Sequence, residues 1–186
     1  MIPIAKEIVR YVRGTALPLQ RLRLANPNAR LTRGVLFDGR VEDVTLKDRV
    51  HVAGPSVLSV SNGGGLEGAR LEIGARTYVG EFNNIRCAGA PIVIGPDCLV
   101  SQQCTLVGSN HGMRAGQLVR DQPWHGDGIV IGSDVWIGAG ATILPGARIG
   151  DGAVIASRSV VRGEVPALAI MAGAPARQVS TRTNNN

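Results

Sequence analysis

The sequence predicts an all-β fold, a solenoid of short strands wound as a three-sided coil. Three observations predict it. Between residues 73 and 163 an aliphatic side chain recurs every six residues, and four places after it stands a small residue. The chain of 186 residues is 44% hydrophobic but only 3% aromatic, and it carries 25 glycines. An α-helix would repeat its apolar positions at three and four, and a half-buried strand would repeat them at two. A period of six with two matched slots fits a strand, a corner and the next strand, so that eighteen residues close one turn. A narrow prism has room for Ile, Val, Leu and Ala but none for rings. The glycines are not spaced at every third residue as in collagen, and they read as relief for corners with unusual backbone dihedrals. The length suits one domain.

Taken in order, residues 1–33 form a basic segment: Lys6, Arg10, Arg13, Arg21, Arg23, Arg30 and Arg33 face one acid, Glu7. Residues 34–186 balance thirteen basic against thirteen acidic side chains, so the net charge of +6 belongs to the N-terminal segment. Part of that segment reads as helical, with Ile4, Ile8 and Val12 on one face until Pro18 interrupts. Two roles are open for it: a cap over the first coils, or peripheral contact with an anionic membrane surface. Residues 34–180 form the solenoid. Its first part, residues 34–72, reads as one or two degenerate coils: Leu46, Val52 and Leu58 keep step, and then Gly63–Gly65 shift the phase. The regular runs follow as Ile73, Val79, Ile85; Ile94, Val100, Leu106; and Ile131, Ile137, Ile143, Ile149, Ile155, Val161. The small slot holds Thr77, Cys98, Cys104, Val135, Ala141, Ala147, Ala153 and Ser159. Residues 181–186, TRTNNN, read as a polar tail with no reason to order.

Several function classes are excluded or disfavoured. No apolar run approaches the roughly 20 residues that span a bilayer. Lys6, Glu7 and Arg10 interrupt any secretory apolar stretch at the start. Three cysteines without a CxxC pair suggest reduced thiols and a cytoplasmic location. A nucleic-acid-binding face is disfavoured, because stacking platforms and clustered basic stripes are absent.

Function in a regular solenoid is expected where the repeat breaks. A small break stretches the unit Ile85–Val93 to nine residues. The large break lies between Leu106 and Ile131, an excursion loop of about residues 108–128 rich in Gly, Pro, Asn and Asp. It holds His111 and His125, two of the three histidines. A neutral imidazole near pH 7 can take a proton from a hydroxyl, so His111 is the candidate general base. Trp124 and His125 at the far end either pack against a neighbour or bind an acceptor. Cys98 and Cys104 occupy packing slots and are not placed as nucleophiles.

This pattern resembles the hexapeptide-repeat acetyltransferases of the galactoside, maltose and polysaccharide type, strongly over residues 73–177. The residues that carry it are the repeat itself, the loop opening Gly108-Ser-Asn-His111, the run Ile131-Gly-Ser-Asp-Val-Trp-Ile-Gly-Ala139 and the closing segment Met171-Ala-Gly-Ala-Pro-Ala-Arg177. The resemblance implies a left-handed parallel β-helix; the period alone does not set the hand. It implies acetyl transfer from acetyl-coenzyme A to a hydroxyl of a sugar or polysaccharide precursor, with His111 as catalytic base and no covalent intermediate. Trp136 matches a Trp that lines the cofactor cleft. Ala139 and Ser157, eighteen apart and so stacked, match positions that offer backbone groups to the pantetheine arm. Arg162 and Arg177 fall near the coenzyme's phosphates, although Gly163 stands where the family often has Lys. Gly80 stands where the galactoside enzymes have a sugar-binding Asn, which leaves Asn84, or Asn83 if it is not a corner cap, to contact the acceptor. The resemblance also implies a homotrimer with sites between subunits, and no metal. Two alternatives stay open: a non-catalytic structural β-helix, and a metal enzyme like the γ-class carbonic anhydrases, whose histidine cluster would have to draw on His51, His111 and His125.

Overall fold

In the computed structural model, which describes residue 6 and residues 12–183, the chain is a left-handed parallel β-helix of six coils. Each coil contributes one short strand to each of three faces, and a seventh parallel strand on face 1 follows the last coil. Face 1 stacks Arg30–Leu31, His51–Val52, Tyr78–Val79, Leu99–Val100, Trp136–Ile137, Val154–Ile155 and Ala169–Gly173, all parallel. Face 2 stacks Val35–Gly39, Ser56–Val60, Asn84–Arg86, Thr105–Val107, Thr142–Ile143 and Val160–Val161. Face 3 stacks Val44–Leu46, Arg70–Ile73, Pro91–Ile94, Ile129–Ile131, Arg148–Ile149 and Glu164–Val165.

The period-six aliphatics point inward and stack on their own kind. Val79, Val100, Ile137 and Ile155 form one inner column, and Ile85, Leu106, Ile143 and Val161 another, all buried. Each buried side chain of this size contributes about 1.5–3 kcal/mol. The small slot is buried too, and where it is polar it ties one coil to the next. The Thr77 hydroxyl donates to the Gly95 carbonyl at 2.8 Å and accepts the Cys98 N–H at 3.0 Å. Asn83 is a corner cap of the same kind. Its Nδ2 donates to the carbonyls of Gly80 and Ser101, both at 2.9 Å, and its Oδ1 accepts the Cys104 N–H at 2.8 Å.

The glycines that follow the aliphatics serve a purpose other than the expected one. Gly74, Gly80, Gly95, Gly132, Gly138 and Gly150 do not have positive φ. They stand where adjacent coils nearly touch: a Cβ on Gly138 would lie 2.6 Å from the Ser157 nitrogen. The left-handed corner positions are shared between other glycines, such as Gly140, Gly146 and Gly152, as expected, and non-glycine residues, among them Arg76, Asp97, Gln103, Asp134 and Arg158. In each of those named, the N–H turns back to a carbonyl of the preceding coil. Arg158, for example, donates to the Ala139 carbonyl at 2.9 Å.

Both ends differ from expectation. Pro18 does not end the helical segment: a π-helical turn, Val12–Ala16, runs directly into the α-helix Leu17–Ala25, and Pro18 sits in the first turn of the latter, where proline gives up no α-helical hydrogen bond. The face expected for Ile4, Ile8 and Val12 falls on side chains outside the described residues. The solenoid begins inside the basic segment, since Arg30–Leu31 already pairs with His51–Val52. The helix closes the open end of the prism. Leu22 is fully buried in the core, Asn26 accepts the Leu46 N–H at 2.8 Å, and Arg23 donates to the Leu31 carbonyl at 2.9 Å. At the other end, Ala176–Thr181 folds back antiparallel on Ala169–Gly173. The expected tail therefore starts too early: Thr181 ends a strand, and Arg182 Nη1 reaches Asp134 Oδ2 at 2.8 Å. Residues 184–186 lie outside the described residues.

Candidate active site

The excursion loop leaves face 2 after Val107 and rejoins face 3 at Ile129. Its base is a two-stranded antiparallel hairpin that pairs Asn110 with His125 and His111 with Trp124. Its interior is held by buried Gln122, whose amide accepts the Arg114 N–H at 2.7 Å and donates to the Arg114 and Gln117 carbonyls, both at 3.0 Å. A polar side chain buried in a loop supplies the pairings that a core of regular strands would otherwise make.

Trp124 anchors the loop to the body. Its backbone N–H donates to the Gly64 carbonyl at 2.8 Å, and its indole lies on Gly63 and Gly64. The glycines at 63–65, which sequence reading treats only as a phase shift, are the floor under this ring. Trp124 in turn sets His111, the two rings meeting edge to face with centroids 5.3 Å apart. The His111 side chain is exposed on the rim of a hollow of about 270 Å³, lined among others by Ser59, Ser61, Arg86, Asn110 and Trp124. His125 is exposed and is not among the residues that line it. Asn84 lies on the outer side of face 2, one strand position before Ile85, in a neighbouring hollow with Phe82. Arg86 lines both hollows and donates through Nε to Asn84 Oδ1 at 3.0 Å. Sequence reading passes over Arg86, Ser59 and Ser61, since outward strand positions carry no repeat.

The candidate coenzyme residues lie elsewhere on the chain. Trp136 stands on the outer side of face 1 between Leu99 and Val154, half exposed, with its ring N–H donated to Ser101 Oγ at 3.1 Å. It borders a hollow of about 500 Å³ that includes Leu99, Val154, Ile170 and Arg182. Ala139 and Ser157 occupy the corner between faces 1 and 2, stacked as the spacing predicts. The Ala139 carbonyl accepts the Arg158 N–H at 2.9 Å. Arg162 follows the last strand of face 2 and is exposed. Arg177 sits on the closing strand opposite Ala172, its Nη1 donating to the Ala176 carbonyl at 3.0 Å. One chain thus does not bring His111 to Ala139 and Ser157; they flank opposite edges of face 2.

The cysteines are structural. Cys98 and Cys104 donate to the carbonyls of Gly132 and Gly138 at 3.1 and 3.3 Å. Burial raises both thiol pKa values and pushes that of Cys87 up to about 12. His51 lies on face 1, edge-on to Tyr78 at 5.3 Å, and desolvation holds its pKa below the usual value. Among the described residues of one chain no three His, Cys, Asp or Glu side chains gather as a metal would require.

Comparison with known proteins agrees with this fold. Residues 128–163 match the bacterial transferase hexapeptide model of six repeats. A "probable acetyltransferase" of Mycobacterium tuberculosis is 30% identical over 185 residues, covering 94% of this chain. Over residues 128–163 the chain carries the hexapeptide repeat of bacterial transferases. This hexapeptide-repeat protein spans 57% of the length of the mycobacterial relative. Among solved structures, it shares its fold with AntD, an N-acyltransferase from Bacillus cereus seen with dTDP and 3-hydroxybutyryl-CoA. The TM-score is 0.73 at 14% identity, over 92% of each chain. It is also similar to NeuO, a polySia-specific acetyltransferase, with TM-score 0.52 and 25% identity over 77% of this chain and 69% of NeuO.

Proposed function

We propose that the protein transfers an acetyl group from acetyl-coenzyme A to a hydroxyl of a sugar or polysaccharide precursor, with His111 as general base. The observation that carries this reading is the placement of His111. It is exposed at the rim of a hollow, on a loop locked to the solenoid through Trp124. The transferase hexapeptide match over residues 128–163 supports it, as does a fold shared with AntD, which is seen with an acyl-coenzyme A.

In the proposed step the His111 imidazole takes the proton of the acceptor hydroxyl while that oxygen attacks the thioester carbonyl. The new C–O bond forms, the C–S bond breaks, and the proton leaves with the coenzyme A thiol. Backbone N–H groups at the coil edge stabilise the oxyanion. Trp136 walls the coenzyme cleft, Ala139 and Ser157 hold the pantetheine arm, and Arg162 and Arg177 meet the phosphates. Trp124 and Asn84 face the acceptor, while His125 lies off the hollow that His111 borders. An assembly, a homotrimer in this reading, completes the site, because His111 and the Ala139–Ser157 corner lie at opposite edges of face 2. Within the basic segment the helix Leu17–Ala25 works as an end cap, supported by the buried Leu22 and Asn26. No helix among the described residues is long and apolar enough to cross a membrane.

The test is acetyl-coenzyme A consumption against a panel of sugars, nucleotide sugars and amino sugars. His111→Ala is expected to lose at least a hundredfold in rate, the contribution of a positioned base, with an unchanged melting temperature. Full activity in that variant would remove His111 from the mechanism. Preference for the amino sugars would replace O-acylation by N-acylation.

A further inference from the structure

We propose that the acceptor pocket selects an anionic acceptor, a sugar bearing a phosphate or carboxylate, through Arg86. The inference rests on the acyl-transfer reading of the His111 hollow and goes beyond it by naming the acceptor's charge.

Arg86 stands on the outer row of face 2, between Ser59 on one neighbouring strand and Val107 on the other. It lines the hollow that His111 borders. Its charge is uncompensated. Among the described residues seven ion pairs form, and Arg86 is in none of them. Elsewhere on the body the guanidinium of Arg76 is bound by Asp97 and that of Arg182 by Asp134. Arg86 instead donates its Nε to the neutral Asn84 Oδ1 at 3.0 Å. That contact orients the guanidinium while leaving both terminal nitrogens for a ligand.

The surroundings are also suited to an anion. No acidic side chain lines either hollow that Arg86 borders. On its own row the carboxylate in register is Asp38, which pairs with Ser59 two strands away, about 10 Å by strand spacing. The other polar side chains near Arg86, Ser59, Ser61 and Asn110, are neutral groups able to donate to oxygens. A planar guanidinium with two free nitrogens matches a carboxylate or phosphate in bidentate fashion. Seated there, the anion would fix the sugar and present a hydroxyl to His111 on the same rim.

The experiment measures binding of glucose 1-phosphate, glucuronic acid and glucose to the full chain by titration calorimetry, with acetyl-coenzyme A consumption followed in parallel. At least one anionic sugar should bind more tightly than glucose by about ten- to a hundredfold, as a charge-assisted pair gives. Which one does so separates phosphate from carboxylate. Arg86→Gln should abolish that preference at an unchanged melting temperature, and Arg86→Lys should restore part of it. Equal binding of all three sugars, or a preference that survives in Arg86→Gln, overturns the proposal. Arg86-dependent anion binding without acetyl-coenzyme A consumption by any acceptor would leave the anion site standing and remove the transferase reading. Consumption with glucose equal to that with both anions would do the reverse.

Discussion

The indole of Trp124 lies on the backbone of Gly64, and the site is built on that contact. Gly64 has φ +56, and a Cβ there would overlap the ring. Gly64→Ala therefore suffers twice, from a left-handed backbone costing about 1–2 kcal/mol for a residue with a Cβ and from expulsion of Trp124. In a Trp136→Phe background the remaining tryptophan reports on this directly. Emission should shift to the red and amide exchange in the 108–128 loop should accelerate, with most of the transfer activity lost. An unchanged spectrum would separate the loop from the glycine floor.

The spacer glycines make a sharper distinction. Gly138 needs no special dihedral but has no space, because its Cβ would sit 2.6 Å from the Ser157 nitrogen. Gly163 has φ +70 and nothing within 4 Å of a Cβ. Gly138→Ala should cost about 1–3 kcal/mol through overpacking and should weaken acetyl-coenzyme A binding, since it moves the Ala139–Ser157 corner. Gly163→Ala should cost about 1–2 kcal/mol through its dihedral alone and leave that binding intact. Urea midpoints and coenzyme titrations on the two variants check this.

These two glycines also mark how far sequence reading reaches. The inner columns were legible because every coil must place one aliphatic in the same prism, so Ile137, Ile143 and Ile149 repeat visibly. His111 was legible because the repeat stops beside it. Gly64 was not, since its partner Trp124 lies sixty residues on and nothing local marks the contact. Arg86 was missed for a related reason: outward side chains answer to ligands and neighbours, not to the prism, and follow no period. Arg182 looked like tail because its reason to order is Asp134, 48 residues earlier.

The thiols give a pH dependence with a definite sign. Cys87 titrates near 12 in the folded chain against 9.0 for a free thiol, with Cys98 and Cys104 raised as well. The folded state holds these protons more tightly, so their contribution is fully present below pH 9 and is lost as pH rises from 9 towards 12. The urea midpoint should fall between pH 8.5 and about 10.5, and Cys87→Ala should flatten that slope. A disulfide reagent at pH 8 should find no fast-reacting thiol in the native protein and all three after unfolding.

The cap can be tested at one side chain. Asn26 is buried and joins the end helix to the solenoid, donating to the Leu22 carbonyl at 2.9 Å and accepting the Leu46 N–H at 2.8 Å. Asn26→Ala leaves that buried N–H unpaired, which costs about 1–3 kcal/mol. Hydrogen exchange should accelerate at Leu46 and across Leu17–Ala25, while coils beyond Tyr78 keep their protection. Uniform loss along the whole solenoid would mean that the helix is no separable cap.

The division of the site between chains has a decisive test in complementation. His111 stands where face 2 meets the excursion loop, and Ala139 stands at the opposite edge of that face. Two variants, His111→Ala and Ala139→Trp, should each be inactive, the first for lack of the base and the second because the indole fills the coenzyme corner. If every site is closed within one chain, mixing them after unfolding and refolding together restores nothing, since each chain carries one defect. If a site takes His111 from one chain and Ala139 from the next, random assembly into a closed ring leaves about a quarter of the sites with both groups intact. Activity of the co-refolded mixture near that fraction, set against none for the variants refolded apart, would place the reaction between subunits.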